Sequence, residues 1–183
     1  MFRVDPSFWF NCALLLYMLP LNCALAILAA SWIHESFHIM AIKTFGGKIR
    51  QINFTALGIV IYADPLPIAR SVVSSLAGPA GSLLLIFFAE YFPLLSVCGC
   101  IQGIFNLIPI YPLDGGRVLY QILSYSSFRN IDSIFRWVQI TVSSILLLGL
   151  IILYRSPMIP VFVLLLLFCK RKSSCKEFNK AVQ

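Results

Sequence analysis

Long apolar runs dominate the chain and predict helices that cross a membrane. Residues 8–45 are almost continuously apolar, and at about 1.5 Å per helical residue this run is too long for one span. Pro20 interrupts it, because proline lacks the backbone N–H that a helix interior needs. The apolar segments together predict spans over residues 8–19, 21–44, 72–92, 94–111, 134–154 and 157–169. The pattern therefore predicts an all-α membrane protein, a polytopic bundle of about six transmembrane helices.

The pattern changes between residues 46 and 63, where two short segments favour β-structure. Residues 48–54 and 59–62 are rich in β-forming side chains, and Gly58 lies between them. They predict a small β-hairpin or re-entrant segment near 46–63, at the membrane surface. The open edge of such a hairpin is suited to pairing with an extended peptide. A structured loop without a substrate role is the alternative.

Composition supports a membrane protein and excludes other classes. Hydrophobic residues make up 60% of the 183 residues and charged residues 11%, whereas charged residues are about a quarter of a soluble domain. The net charge of +7 does not indicate a nucleic-acid partner, because the basic residues lie in short loops and a tail and form no face. We predict one transmembrane domain over residues 1–169, followed by a basic tail over 170–183. The six cysteines show no CxxC spacing and receive no role.

The distribution of basic residues predicts the orientation of the chain. With six spans, 13 of the 14 lysines and arginines fall on one side of the membrane, and only Arg155 falls on the other. Cytoplasmic loops of membrane proteins carry the excess of basic residues. We therefore predict a multi-pass protein of the cell membrane with both termini in the cytoplasm.

The chain has only two histidines, His34 and His38, and they lie four residues apart in the second predicted span. Residues at this spacing share a helix face, so both imidazoles can bind one metal ion. Glu35 lies off their shared line, where a general base for a metal-activated water is expected. A pair of structural histidines is the alternative, but ionisable residues within a membrane are rare and usually functional. The motif therefore predicts a metal site toward the cytoplasmic end of this span.

The third metal ligand is predicted by elimination. A catalytic zinc ion usually has three protein ligands and one open position, and no histidine remains. Among the remaining acidic residues, Asp114 alone lies at membrane depth, in a backbone interrupted by prolines and glycines, on the side of the histidines. The alternative is that Asp114 caps a helix that resumes at Gly116. We predict one Zn²⁺ per chain, bound by His34, His38 and Asp114.

Asn106 is a further polar residue at membrane depth, eight positions before Asp114. A buried amide can donate to an oxyanion or hold a substrate backbone. It can equally link two neighbouring helices. The residues alone leave both roles open.

Two patterns in these residues resemble a known family. HExxH over residues 34–38, followed in a later span by NxxPxxPLDGG over residues 106–116, resembles the site-2 protease family of intramembrane metalloproteases. The resemblance covers roughly residues 4–125. It is closest to the sporulation-type members, which release a sigma factor from a membrane-bound precursor. Ser82 departs from the family pattern, which often has asparagine at this position.

The resemblance implies an activity, partners and residue roles. The chain would be a zinc endopeptidase of regulated intramembrane proteolysis that cleaves a membrane-anchored protein near the cytoplasmic face, within the lipid bilayer and with inhibitory membrane partners. Glu35 would deprotonate the attacking water and Asn106 would assist catalysis by orienting the substrate. Pro109 and Pro112 would lie along the substrate, and the 46–63 hairpin would present a substrate strand. Neither a PDZ domain nor a nucleotide-sensing domain, which regulate some members, is expected in 183 residues.

Two other functions are consistent with a metal site in a membrane. A metal-ion transporter would use the same ligands for transit, but transporters usually show internal repeats and paired broken helices, and here one predicted span is broken and no repeat is visible. A catalytically silent metal-binding scaffold would not need the general base, and Glu35 is intact. The residues therefore favour the endopeptidase.

Overall fold

The computed structural model describes residues 2–55, 58–126 and 130–154, with side chains described as far as residue 149. The chain divides into two compact units, Met1–Leu107 and the residues from Ile108 onward. The described helices of the first unit are α1 Pro6–Met18, α2 Leu21–Thr44, α3 Ile68–Leu84, a 3-10 turn Leu85–Phe88 and α4 Pro93–Asn106. Pro20 lies at the N-cap position of α2, where its missing N–H costs no helical hydrogen bond.

A small three-stranded sheet accompanies these helices. Its strands are β1 Phe2–Val4, β2 Ile49–Thr55 and β3 Gly58–Ala63. The central strand β2 pairs parallel with β1, with Phe2 opposite Ile52, and antiparallel with β3, with Ile52 opposite Ile61. The hairpin of β2 and β3 agrees with the sequence prediction near 46–63. The sequence does not predict β1, because a strand of three residues is too short to show an alternating pattern.

Small residues allow α2, α3 and α4 to approach one another closely. A Cβ atom at Gly81 of α3 would lie 2.3 Å from the Phe37 ring of α2. A Cβ atom at Gly99 of α4 would lie 2.6 Å from the Leu85 side chain. Large apolar side chains lie exposed, among them Trp9, Phe10, Trp32 and Ile101. Small residues between the helices and large apolar residues outside are typical of helices that pack in lipid.

Three helical segments of the described chain are long and apolar enough to cross a membrane: Leu21–Thr44, Ile68–Phe88 and Ile131–Gly149. The helix α4 is apolar but shorter. Together with the sheet, these helices confirm the predicted class, a helical multi-pass membrane protein with a small β segment. The predicted span over 157–169 and the basic tail over 170–183 lie outside the described residues.

The second unit begins where the predicted fourth span is interrupted. The backbone from Leu107 to Leu113 forms only turns and bends, whereas the prediction extended that span to residue 111. Prolines at positions 109 and 112 explain the interruption, because neither can donate a helical hydrogen bond.

Two helices, α5 Asp114–Tyr125 and α6 Ile131–Tyr154, follow in the second unit. The ring of Tyr120 on α5 packs edge-on against Phe135 on α6, with centroids 5.1 Å apart. The hydropathy pattern does not predict α5 as a separate element, because its polar, glycine-rich beginning has low helix propensity. Only the structure shows that the chain becomes helical again at residue 114.

Candidate metal centre

The helix α2 places both histidines in the interior of the first unit. His34 is 3% exposed and His38 is 7% exposed. Their Nε2 atoms lie 3.2 Å apart. Two imidazole nitrogens bound to one tetrahedral zinc ion, at about 2.0–2.1 Å each, are about 3.3 Å apart. The separation of the two Nε2 atoms therefore fits two ligands of one ion.

The second nitrogen of the His38 ring is held by α3. Its Nδ1 atom lies 2.7 Å from the backbone carbonyl oxygen of Ser74. A carbonyl oxygen only accepts hydrogen bonds, so Nδ1 carries the proton and donates it. In the neutral ring, Nε2 then has the lone pair that a metal ion requires.

The His34 ring is held by a side chain of α3, the helix that also holds His38. Its Nδ1 atom lies 2.8 Å from the hydroxyl oxygen of Ser82, which is fully buried. A backbone carbonyl on the outer nitrogen of a metal-binding histidine is a common way of orienting the ring, and at His34 a hydroxyl occupies this place. Both rings thus have a partner on α3 at Nδ1, and their Nε2 atoms face each other.

Gly78 leaves space for the metal-binding nitrogen of His38. A Cβ atom at position 78 would lie 2.1 Å from Nε2 of His38, well inside van der Waals contact. Gly78 lies on α3 midway between Ser74 and Ser82, and residues four apart share one helix face. One face of α3 therefore carries a hydrogen-bond partner for each histidine, with a residue that has no side chain between them.

Asp114 is the first residue of α5, and Leu113 occupies the N-cap position. The carboxylate is 6% exposed. Its Oδ1 atom lies 3.9 Å from Nη1 of Arg117, one turn further along the helix. A Cβ atom at Gly116 would lie 2.4 Å from the backbone of Ile110, so the start of α5 packs closely against the preceding turn. Asp114 therefore does not occupy the capping position that the alternative reading of the sequence assigned to it.

His34 and His38 of the first unit and Asp114 of the second are the candidate metal ligands. Each offers one ligand atom, and all three residues are buried. Two neutral imidazoles and one carboxylate are a donor set of catalytic zinc sites with an open fourth position. The donor set and the spacing of the two imidazole nitrogens both fit a zinc ion.

The other predicted site residues lie in different parts of the chain. Glu35 is half-buried on α2, and Asn106 is the last residue of α4. The side-chain Nδ2 of Asn106 donates to the carbonyl oxygen of Gln102, at 3.1 Å. Pro109 and Pro112 are half-buried in the irregular segment, where the Tyr111–Pro112 peptide bond is cis.

Sequence reasoning missed the residues of α3 that contact the histidines. Gly78 belongs to a cluster of small residues that indicated only close helix packing, and Ser82 stood out only as a departure from a family pattern. Ser74 contributes a backbone atom, for which the sequence offers no signal. These contacts depend on how α3 lies against α2, which residue patterns do not specify.

The fold and the histidine pair define a class, the multi-pass helical membrane proteins with two buried, facing histidines. The model of Peptidase family M50 matches residues 67–150 of the chain. This range contains Asp114 and Asn106 but not the histidine motif.

Two comparisons find similarity to proteases of Methanocaldococcus jannaschii. Zinc metalloprotease MJ0392 is 33% identical over an alignment of 106 positions that covers 50% of this chain and 31% of that protein. The chain thus spans about a third of the curated relative that it matches. The solved structure of a site-2 protease superposes with a TM-score of 0.67 at 23% identity, over 91% of this chain and 87% of that one. The chain therefore has the fold of that protease. Its similarity to Peptidase family M50 is limited to residues 67–150.

Proposed function

We propose that the chain is an intramembrane zinc endopeptidase that hydrolyses a peptide bond of a membrane-anchored protein. The observation that carries this proposal is the pair of buried histidines, His34 and His38, whose Nε2 atoms face each other at 3.2 Å, with Glu35 next to His34 in the chain. Asp114 is proposed as the third ligand. A zinc ion bound there supplies a Lewis acid that polarises a carbonyl group and activates water. The similarity to a zinc metalloprotease supports the same activity.

In this proposal Glu35 is the general base. Its carboxylate takes a proton from the attacking water and returns it to the nitrogen of the leaving amine, so that no net charge is left in the membrane. Glu35 follows His34 directly on α2, so its side chain leaves the helix on a different line from the two ligands. This position allows it to serve the water without occupying a ligand position.

Asn106 is proposed to position the substrate and to assist catalysis. Its amide nitrogen donates one hydrogen to Gln102, and an amide nitrogen carries two. The second hydrogen can be donated to a substrate carbonyl or to the oxyanion that forms from it. Asn106 ends α4 just before the irregular segment, where a substrate backbone can be accommodated.

Pro109 and Pro112 are proposed to border the substrate. Both lie in the irregular segment before α5, and neither can form a helical hydrogen bond at its own nitrogen. A helical substrate must unwind before cleavage, because its amides are hydrogen-bonded within the helix.

The sheet is proposed to align the unwound substrate. In the described sheet, β3 pairs with β2 along one edge and is an outer strand. An extended peptide can add to the edge of β3 that does not face β2, through backbone hydrogen bonds.

The proposed substrate is a membrane-tethered regulator, such as a sigma-factor precursor, cleaved near the cytoplasmic face. The substrate class rests on the resemblance of the two motifs to sporulation-type proteases. The side of cleavage rests on the excess of basic residues, which predicts cytoplasmic termini and places the histidine motif on the cytoplasmic side. Membrane proteins that inhibit cleavage until a signal arrives are proposed as further partners.

The experiment that tests the proposal compares the wild-type chain with Glu35→Gln, co-expressed with a tagged single-span candidate substrate. Both purified proteins are analysed for zinc. We expect about one zinc ion per chain in each and cleavage only in the wild type, because glutamine cannot accept the proton. Glu90→Gln, which changes an exposed acid after the 3-10 turn, is the matched control and should cleave normally. Absence of zinc from the wild type, or equal cleavage by Glu35→Gln, would contradict the proposal.

A further inference from the structure

The two histidines of the site are oriented in chemically different ways. His38 donates to a backbone carbonyl, whereas Nδ1 of His34 contacts a side-chain hydroxyl, that of Ser82. A backbone carbonyl remains when its own side chain is replaced, and a hydroxyl does not. The orientation of His34 is therefore sensitive to the residue at position 82.

The hydroxyl of Ser82 can either donate or accept a hydrogen bond, and the two cases leave His34 in different tautomers. If the hydroxyl donates to Nδ1, the proton of the neutral ring is on Nε2, which then cannot bind a metal ion. If Nδ1 donates to the hydroxyl oxygen, Nε2 carries the lone pair and faces Nε2 of His38 at 3.2 Å. Metal binding by both rings requires the second case.

Ser82 differs from an ordinary buried helix serine. Helix serines often donate to the carbonyl four residues earlier, as Ser36 does to Trp32 at 2.7 Å. Ser82 instead contacts a histidine of another helix at 2.8 Å, and it is 0% exposed. A fully buried imidazole N–H cannot replace this partner with bulk water.

We propose that Ser82 is a positioning residue of the metal centre. Its hydroxyl oxygen accepts the Nδ1 proton of His34, selects the tautomer that leaves Nε2 free for the ion, and holds the ring toward His38. This inference rests on the metal site of the proposed function. It adds a residue at which the chain departs from the family pattern, where asparagine is frequent.

The experiment compares the Co²⁺ and Zn²⁺ affinities of the full chain, purified in detergent, for the wild type and two serine variants. Ser82→Ala should weaken metal binding about 10- to 100-fold, the range typical of losing a partner of a metal-binding histidine. Ser96→Ala removes another buried serine hydroxyl, bonded to the Leu85 carbonyl at 2.7 Å, and should bind normally.

Two further variants separate the hydrogen bond from packing. Ser82→Thr keeps the hydroxyl and should recover most of the affinity. Ser82→Cys keeps nearly the same volume but offers a weaker acceptor, so its affinity should fall below that of the wild type even if threonine does not fit the site. The visible absorption of bound Co²⁺ reports the coordination geometry and should change in Ser82→Ala but not in Ser96→Ala.

Each outcome supports or overturns the inference. If the wild type binds one ion and Ser82→Ala binds within about threefold of it, the inference is wrong while the metal site stands. If Ser82→Ala and Ser96→Ala lose affinity equally, Ser82 acts only through stability, and the inference is again wrong. If the wild type binds no metal ion, the proposed function fails as well.

Discussion

The Nε2 atoms of His34 and His38 lie 3.2 Å apart, although the other ring nitrogen of each already has a partner on α3. When both Nδ1 atoms carry protons, the facing nitrogens present two lone pairs to each other and cannot share a hydrogen bond. A metal cation would remove this repulsion, because each Nε2 lone pair would then bind the cation. The contacts of both Nδ1 atoms with α3 therefore leave both Nε2 atoms to face each other.

Metal removal should lower the stability of the protein. A ligand that binds only the folded state stabilises it by about 2.7 kcal/mol at a hundredfold excess over Kd. We expect a chelator to lower the apparent melting temperature in detergent and added Zn²⁺ to restore it. His38→Ala should abolish this response, because it removes one ligand. An unchanged melting temperature in the wild type would contradict a structural contribution of the ion.

Asp114→Asn should reduce zinc binding while the chain still folds. Asparagine has nearly the same size as aspartate, but it lacks the charge that makes a carboxylate a strong zinc ligand. The zinc content after dialysis against a weak chelator measures the effect. Asp132→Asn, which alters an exposed acid in the first turn of α6, should retain the wild-type zinc content. If both variants contained equal zinc, Asp114 would not be a ligand of the ion.

Gly78→Ala should abolish zinc binding and destabilise the first unit. A methyl group at this position would lie 2.1 Å from Nε2 of His38, so the ring or the helix must shift. The control is Gly149→Ala, where no atom lies within 4 Å of the added methyl group. Alanine is favoured over glycine in a helix by about 0.5–1 kcal/mol, so the control should be neutral or more stable. Zinc content and thermal unfolding of both variants provide the comparison.

Asn106→Ala should slow peptide hydrolysis without loss of zinc. Removing one donor to an oxyanion typically lowers kcat about 10²- to 10³-fold. Cleavage of the tagged substrate at saturating concentration measures kcat, and zinc content is determined on the same sample. Asn22→Ala, at an exposed position near the start of α2, should cleave normally. A variant that lost zinc along with activity would indicate a structural role for Asn106 instead.

Much of the fold was accessible from residue patterns because lipid imposes strong constraints on a chain. Helices that cross a membrane need long apolar runs, so hydropathy predicted the class of the protein and the β segment that interrupts it. The strand β1 was missed because it has only three residues. The helix α5 entered only through the alternative role of Asp114, as a helix resuming at Gly116, because its polar, glycine-rich beginning gives no hydropathy signal.

The sequence by itself determined which residues are the candidate metal ligands. Only two histidines exist, and their spacing of four places them on one face of any helix. Among the remaining acids, Asp114 alone combines membrane depth, an interrupted backbone and the side of the histidines. What only the tertiary structure decided is how these ligands are held. The contacts of Ser74, Gly78 and Ser82 with the histidines join residues more than thirty positions apart. They arise from the rotation and closeness of α3 against α2, and packing between helices sets these quantities, which no local pattern contains.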